Sequence, residues 1–118
     1  MSDLREFFAS VGSDADDVII RLGGNPELVV RFVTKFLSDG SFANLKSALA
    51  AGDRDTAFRA AHTLKGVSGT LGFQRLYEKA TSVTELLRGG AVDAAKTALP
   101  TLETEYSLVM EALKTLEQ

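Results

Sequence analysis

The chain has 118 residues, 45% of them hydrophobic and only 2 of them proline, which suits one compact domain and excludes long disordered linkers. Its net charge of −3 comes from 13 basic and 16 acidic residues mixed along the chain, so the footprint of a nucleic-acid binder or of a basic membrane-surface helix is absent. There is no cysteine for a disulfide or thiolate metal site, no apolar run near the ~20 residues that span a bilayer, and no secretory signal in the mixed start MSDLREFFASVG, so a cytoplasmic protein is expected.

Helical periodicity runs through almost the whole chain, without an alternating strand pattern or a hairpin dipeptide. A first segment from Asp3 carries Leu4, Phe7, Phe8 and Val11 at helical spacing and stops at Gly12. A second, from about Asp14 to Leu22, has Val18, Ile19 and Leu22 as its apolar set and stops at Gly23-Gly24. Asn25-Pro26-Glu27 then opens a third helix: Asn25 caps the orphan amides, Pro26 suits the first helical position and Glu27 complements the dipole. Its stripe of Leu28, Val29, Phe32, Val33 and Phe36 weakens at Ser38–Ser41 and resumes through Phe42, Leu45 and Leu49, which reads as one long helix with a break or kink near Gly40. Asp53 caps a fourth helix with the seam Ala57, Ala61, Leu64, Ser68 and Leu71, closed by Gly72. A fifth starts near Phe73 with Leu76, Ala80, Val83 and Leu87 and ends at Gly89-Gly90. After a short segment at 91–98, Pro100 marks a new start or a kink, and Leu102, Tyr106, Val109, Leu113 and Leu116 form the last seam.

Narrow seams joined by short glycine-rich turns predict an all-α fold: an antiparallel, up-down-up-down four-helix bundle over about residues 25–118, with a short N-terminal helical addition over 1–24, in a single monomeric domain. Starting at methionine and ending soon after the last seam, the chain is expected to be free-standing.

The only histidine lies in the stretch AAHTLKGVSGTLG, residues 60–72, where two glycines fall inside a strong helix. Each costs a helix interior ~1 kcal/mol relative to alanine. At 100° per residue with Ala57 at 0°, the seam stays within about 40°, whereas His62 falls at about 140°, Gly66 near 180°, Gly69 near 120° and Lys65 at about 80°. The imidazole thus faces outward, with a cation one turn later and glycines at i+4 and i+7 beside it. Long side chains at 66 or 69 would lean over the ring, because helical side chains point toward the N-terminus. Tight packing explains glycines, and solvation explains a lysine, one at a time; the conjunction points to a bare strip where a large partner can approach.

Metal binding is not supported by a single histidine. An exposed histidine without a pocket or oxyanion loop does not suit a Ser-His-Asp triad, and no nucleotide-binding loop is present. What remains is an imidazole nucleophile toward a phosphoryl group, with Lys65 offsetting the charge of the product and any catalytic acid or Mg²⁺ supplied by the partner.

His62-Thr63-Leu64-Lys65-Gly66, followed by Ser68-Gly69 and Leu71-Gly72, resembles the HxLKGxxGxxG core of the histidine phosphotransfer (HPt) domain family. The segments 22–28 and 50–53 and the pair Leu76 and Ala80 extend the resemblance over about residues 17–116. It implies a phosphorelay carrier in two-component signalling, not an enzyme with its own ATP site. His62 would accept the phosphoryl group of a receiver-domain aspartyl phosphate and pass it to another receiver aspartate. Lys65 would stabilise it, and Gly66 and Gly69 would admit the receiver. The partners implied are response-regulator receiver domains and a hybrid sensor histidine kinase, with Mg²⁺ on the receiver and no cofactor on this chain. Many members place Gln or Glu on the following helix to orient the imidazole; the aligned position here is Thr84, a hydrogen-bonding group of shorter reach, with Glu85 beside it. Receiver docking is assigned to exposed members of the set Val18, Ile19 and Leu22 and to Phe58, each of which also suits the bundle core. The competing readings are a receiver-docking pseudo-HPt adaptor that carries no phosphate, motivated by Thr84, and a generic helical adaptor.

Overall fold

A computed structural model describes residues 2–117, and among them every regular element is helical. Met1 and Gln118, the ends of the predicted domain, lie outside the described residues. The helices are α1 (Ser2–Ser10), α2 (Ala15–Arg21), α3 (Pro26–Thr34), α4 (Ser41–Ala50), α5 (Arg54–Leu71), α6 (Gln74–Arg88) and α7 (Val92–Glu117).

Local chemistry starts most of them. The Asp14 carboxylate accepts the Asp16 and Asp17 amides at 2.9 and 3.2 Å, and Asn25 accepts those of Glu27 and Leu28 ahead of Pro26. Asp53 accepts the Thr56 amide at 3.1 Å and its hydroxyl at 2.7 Å. These two hydrogen bonds hold the Asp53 carboxyl below the usual aspartate range.

One expectation is met and another needs correction. The long third helix breaks near Gly40 as expected, into two helices: α3 tightens into a 3₁₀ turn at Lys35–Ser38, Asp39 turns extended, and α4 starts afresh at Ser41. Asp39 drives the break, because its carboxylate takes both the amide and the hydroxyl of Ser41. Conversely, the segment before Pro100 is not separate; α7 runs continuously through the proline. An interior proline costs about 3 kcal/mol. Ala95 on one side and Leu102, Val109 and Leu113 on the other are all buried, and burial at roughly 1.5–3 kcal/mol per large aliphatic side chain outweighs that cost.

Successive helices α4, α5, α6 and α7 pack on one another, α7 returns against α3 and α4, and α1 lies on α7 and α2. Arg54 at the start of α5 donates to the Leu87 and Arg88 carbonyls at 3.0 Å, so the start of α5 sits beside the end of α6. The addition is part of the core. A row of rings runs from Phe7 of α1 through Phe73 and Phe36 to Tyr106 and Phe42, with centroids 4.3 to 5.9 Å apart. Arg75 of α6 secures the same corner, donating to the Ser10 and Val11 carbonyls through side chain and backbone and pairing with Glu105 at 3.0 Å. Gly72 ends α5 at φ +81°, where a Cβ would sit 2.6 Å from a Val18 methyl, so the stop and the seat of α2 are one feature.

Candidate functional site

The predicted seam of α5 is buried throughout, and its one polar member is satisfied: the Ser68 hydroxyl donates to the Leu64 carbonyl at 2.7 Å. His62 and Gly66 are exposed on the other side, with Lys65 half-buried beside them. A Cβ built on Gly66 meets nothing within 4 Å, so the space there is open. Gly69 differs. Its Cβ would lie 2.9 Å from Cδ1 of Tyr77, so the glycine makes room for an α6 ring, and the expectation that it leaves bare backbone for a partner is corrected.

His62, Lys65, Gly66, Gly69 and Tyr77 line one shallow depression, which Thr70, Gln74 and Arg21 complete. Arg21, the last residue of α2, donates from Nη1 to the Gly69 carbonyl at 3.1 Å. Among the described residues neither Lys65 nor Arg21 pairs with a carboxylate. Phe58, one turn before His62, lays its ring nearly parallel to the imidazole, 18° between planes and 5.9 Å between centroids, and the Arg88 guanidinium stands 5.1 Å from the Phe58 centroid. The arrangement is an accessible imidazole beside unneutralised positive charge, which suits a negatively charged group carried on the ring.

A family model described as the Hpt domain matches residues 32–115. The chain belongs to the Hpt domain family. No curated protein and no solved structure matches it significantly. Hpt domains are phosphocarrier modules of histidine phosphotransfer relays, and the family works with receiver domains and kinases. The matched span of this Hpt domain runs from within α3 into α7; α1 and α2, with Arg21, precede it. Among the described residues no helix is long and apolar enough to cross a membrane.

Within the Hpt domain, Thr84 does not take the role expected of it. It is fully buried on α6, and its hydroxyl donates to the Ala80 carbonyl at 2.7 Å. A short β-branched side chain on the core face has its own helix as its nearest acceptor, so it cannot reach the outward stripe of α5. Glu85, beside it, pairs instead with Arg88 at 3.3 Å. The neighbour of the imidazole is therefore the Phe58 ring.

The proposed docking set divides. Val18 is 2% exposed and belongs to the core over Gly72, so it offers a partner no surface. Ile19, Leu22 and Phe58 are half-buried against the core. Ile20, absent from that set, is 75% exposed. Its signal was available: three consecutive apolar residues, Val18-Ile19-Ile20, cannot all face one side of a helix. Arg21 carried no such signal, because its contact with Gly69 joins residues 48 apart.

Proposed function

We propose that this Hpt domain is a cytoplasmic phosphorelay carrier that accepts a phosphoryl group on His62 from a receiver aspartyl phosphate and passes it to another receiver aspartate. The observation carrying this reading is the exposed imidazole with open space over Gly66 one turn on and Lys65 alongside. It is presented by α5 as one rod of an antiparallel four-helix bundle, whose sealed inner seam leaves the outer stripe free to meet a partner.

In the transfer, the lone pair of a neutral ring nitrogen attacks phosphorus. The P–N bond forms as the P–O bond to the receiver aspartate breaks, and the carboxylate leaves with the electron pair. The ring's second nitrogen keeps its proton. Charge in the loose transition state spreads over the three phosphoryl oxygens, where the Lys65 ammonium opposes it. Mg²⁺ is supplied by the receiver, and the return step to a second aspartate reverses these bonds.

The test is incubation with a phosphorylated receiver domain and Mg²⁺, followed by mass spectrometry for acid-labile phosphate. Label on His62 is expected, with none on His62→Gln. Withdrawal of Thr84 into the core favours a second reading, a pseudo-HPt adaptor. It predicts receiver binding with no label from any receiver, and that result would replace the first reading.

A further inference from the structure

We infer that Arg21, delivered by the N-terminal helix α2, is a second cation for a phosphoryl group on His62, acting with Lys65. This rests on the reading of His62 as the phosphoacceptor. Arg21 precedes the residues matched to the Hpt family, yet it lines the same depression as His62, Lys65 and Gly66. Its backbone is fixed: Val18 packs over Gly72, the Ser13 hydroxyl donates to the Gly72 carbonyl at 2.5 Å, and Arg5 pairs with Asp16 at 3.0 Å.

The guanidinium is anchored but not used up. Gly69 lies in the last turn of α5, where its oxygen meets the Gly72 amide only at a long 3.4 Å and takes one Arg21 N–H at 3.1 Å. A guanidinium has five, and no carboxylate pairs with this one among the described residues. A phosphoryl group presents three anionic oxygens, and a planar fork can bridge two of them, which an ammonium acting as a point charge does not. Lys65 and Arg21 come from different helices, so they can address different oxygens. A helix-capping role alone would make Arg21 matter for stability and leave the phosphorylated ring unaffected.

Phosphoramidate tests this without a partner protein: it transfers its phosphoryl group to a ring nitrogen and releases ammonia. On the full chain, Arg21→Ala is expected to slow phosphorylation of His62 and shorten the phosphohistidine half-life about three- to tenfold, as for one partly exposed charge-assisted hydrogen bond. Arg21→Lys should recover part of the loss, and Lys96→Ala on α7 none of the effect, which excludes net charge as the cause. In the unaltered chain the Arg21 Nε–H resonance should move on phosphorylation, a readout that stands even if Arg21→Ala fails to fold. An unmoved resonance, or a lowered melting temperature with unchanged phosphorylation kinetics, overturns the inference and leaves the acceptor reading intact. Label from phosphoramidate but from no receiver overturns the acceptor reading while the Arg21 effect is still measured.

Discussion

Gly66 and Gly69 stand one turn apart on the same helix, and their surroundings are opposite. Around Gly66 the outer stripe of α5 borders empty space beside an exposed imidazole. Around Gly69 the space is taken by Tyr77 from within the chain, and Arg21 closes over the carbonyl. The space of a missing side chain is thus open in one case and filled by a resident ring in the other. The glycine itself is the same, and the neighbouring helices decide which it is.

The largest expected effect would break that contrast at its open end. Gly66→Trp places bulk beside His62 from a Cβ that meets nothing within 4 Å, so transfer from a phosphorylated receiver should fall on the order of 100-fold, about 2.7 kcal/mol, with little change in melting temperature. Rates like those of the unaltered chain would mean that the open space does not serve the partner. A smaller pair of changes sharpens the difference in sign. Gly66→Ala should stabilise the protein by up to ~1 kcal/mol, because it gains helix propensity and meets nothing. Gly69→Ala should destabilise by ~1 kcal/mol, because Tyr77 must shift, and in a Tyr77→Ala background the same change should become stabilising. Denaturant midpoints read all of these.

The smallest effect lies at the other end of α5. The Asp53 carboxyl is held below its unfolded value by hydrogen bonds from Thr56, so its contribution is present above the unfolded pKa, near 4, and is lost as pH falls through the lower folded pKa. Amide exchange in the first turn of α5 should therefore quicken relative to the intrinsic rate below about pH 4, while Asp53→Asn removes that dependence. Equal quickening at Gly66 would show that the open stretch depends on this cap.

What was legible in the sequence is what a single helix decides about itself. The seam Ala57–Leu71, the caps at Asn25 and Asp53 and the stop at Gly72 follow from spacing and side-chain type, and they are present as expected. The outward placement of His62 and Gly66 follows from the same wheel. Illegible were decisions made between elements. Thr84 aligns with an orienting position but points into the core. Val18 reads as surface or core until Gly72 is seen beneath it. Tyr77 over Gly69 and Arg21 at its carbonyl depend on how α6 and α2 lie on α5. Pro100 has the signature of a boundary, yet α7 passes through it because burial on both sides exceeds the cost of one lost backbone bond.

The row of rings that begins at Phe7 carries a practical consequence for anyone trimming this chain. The span recognised as the Hpt domain starts at residue 32, but Phe8 is fully buried and Phe7 meets Phe73 at 5.8 Å. Cutting at the recognised boundary would strip the Phe7 ring from Phe73 and leave an apolar edge. It would also remove Arg21. The unit that evolution repeats and the unit that folds here do not have the same ends.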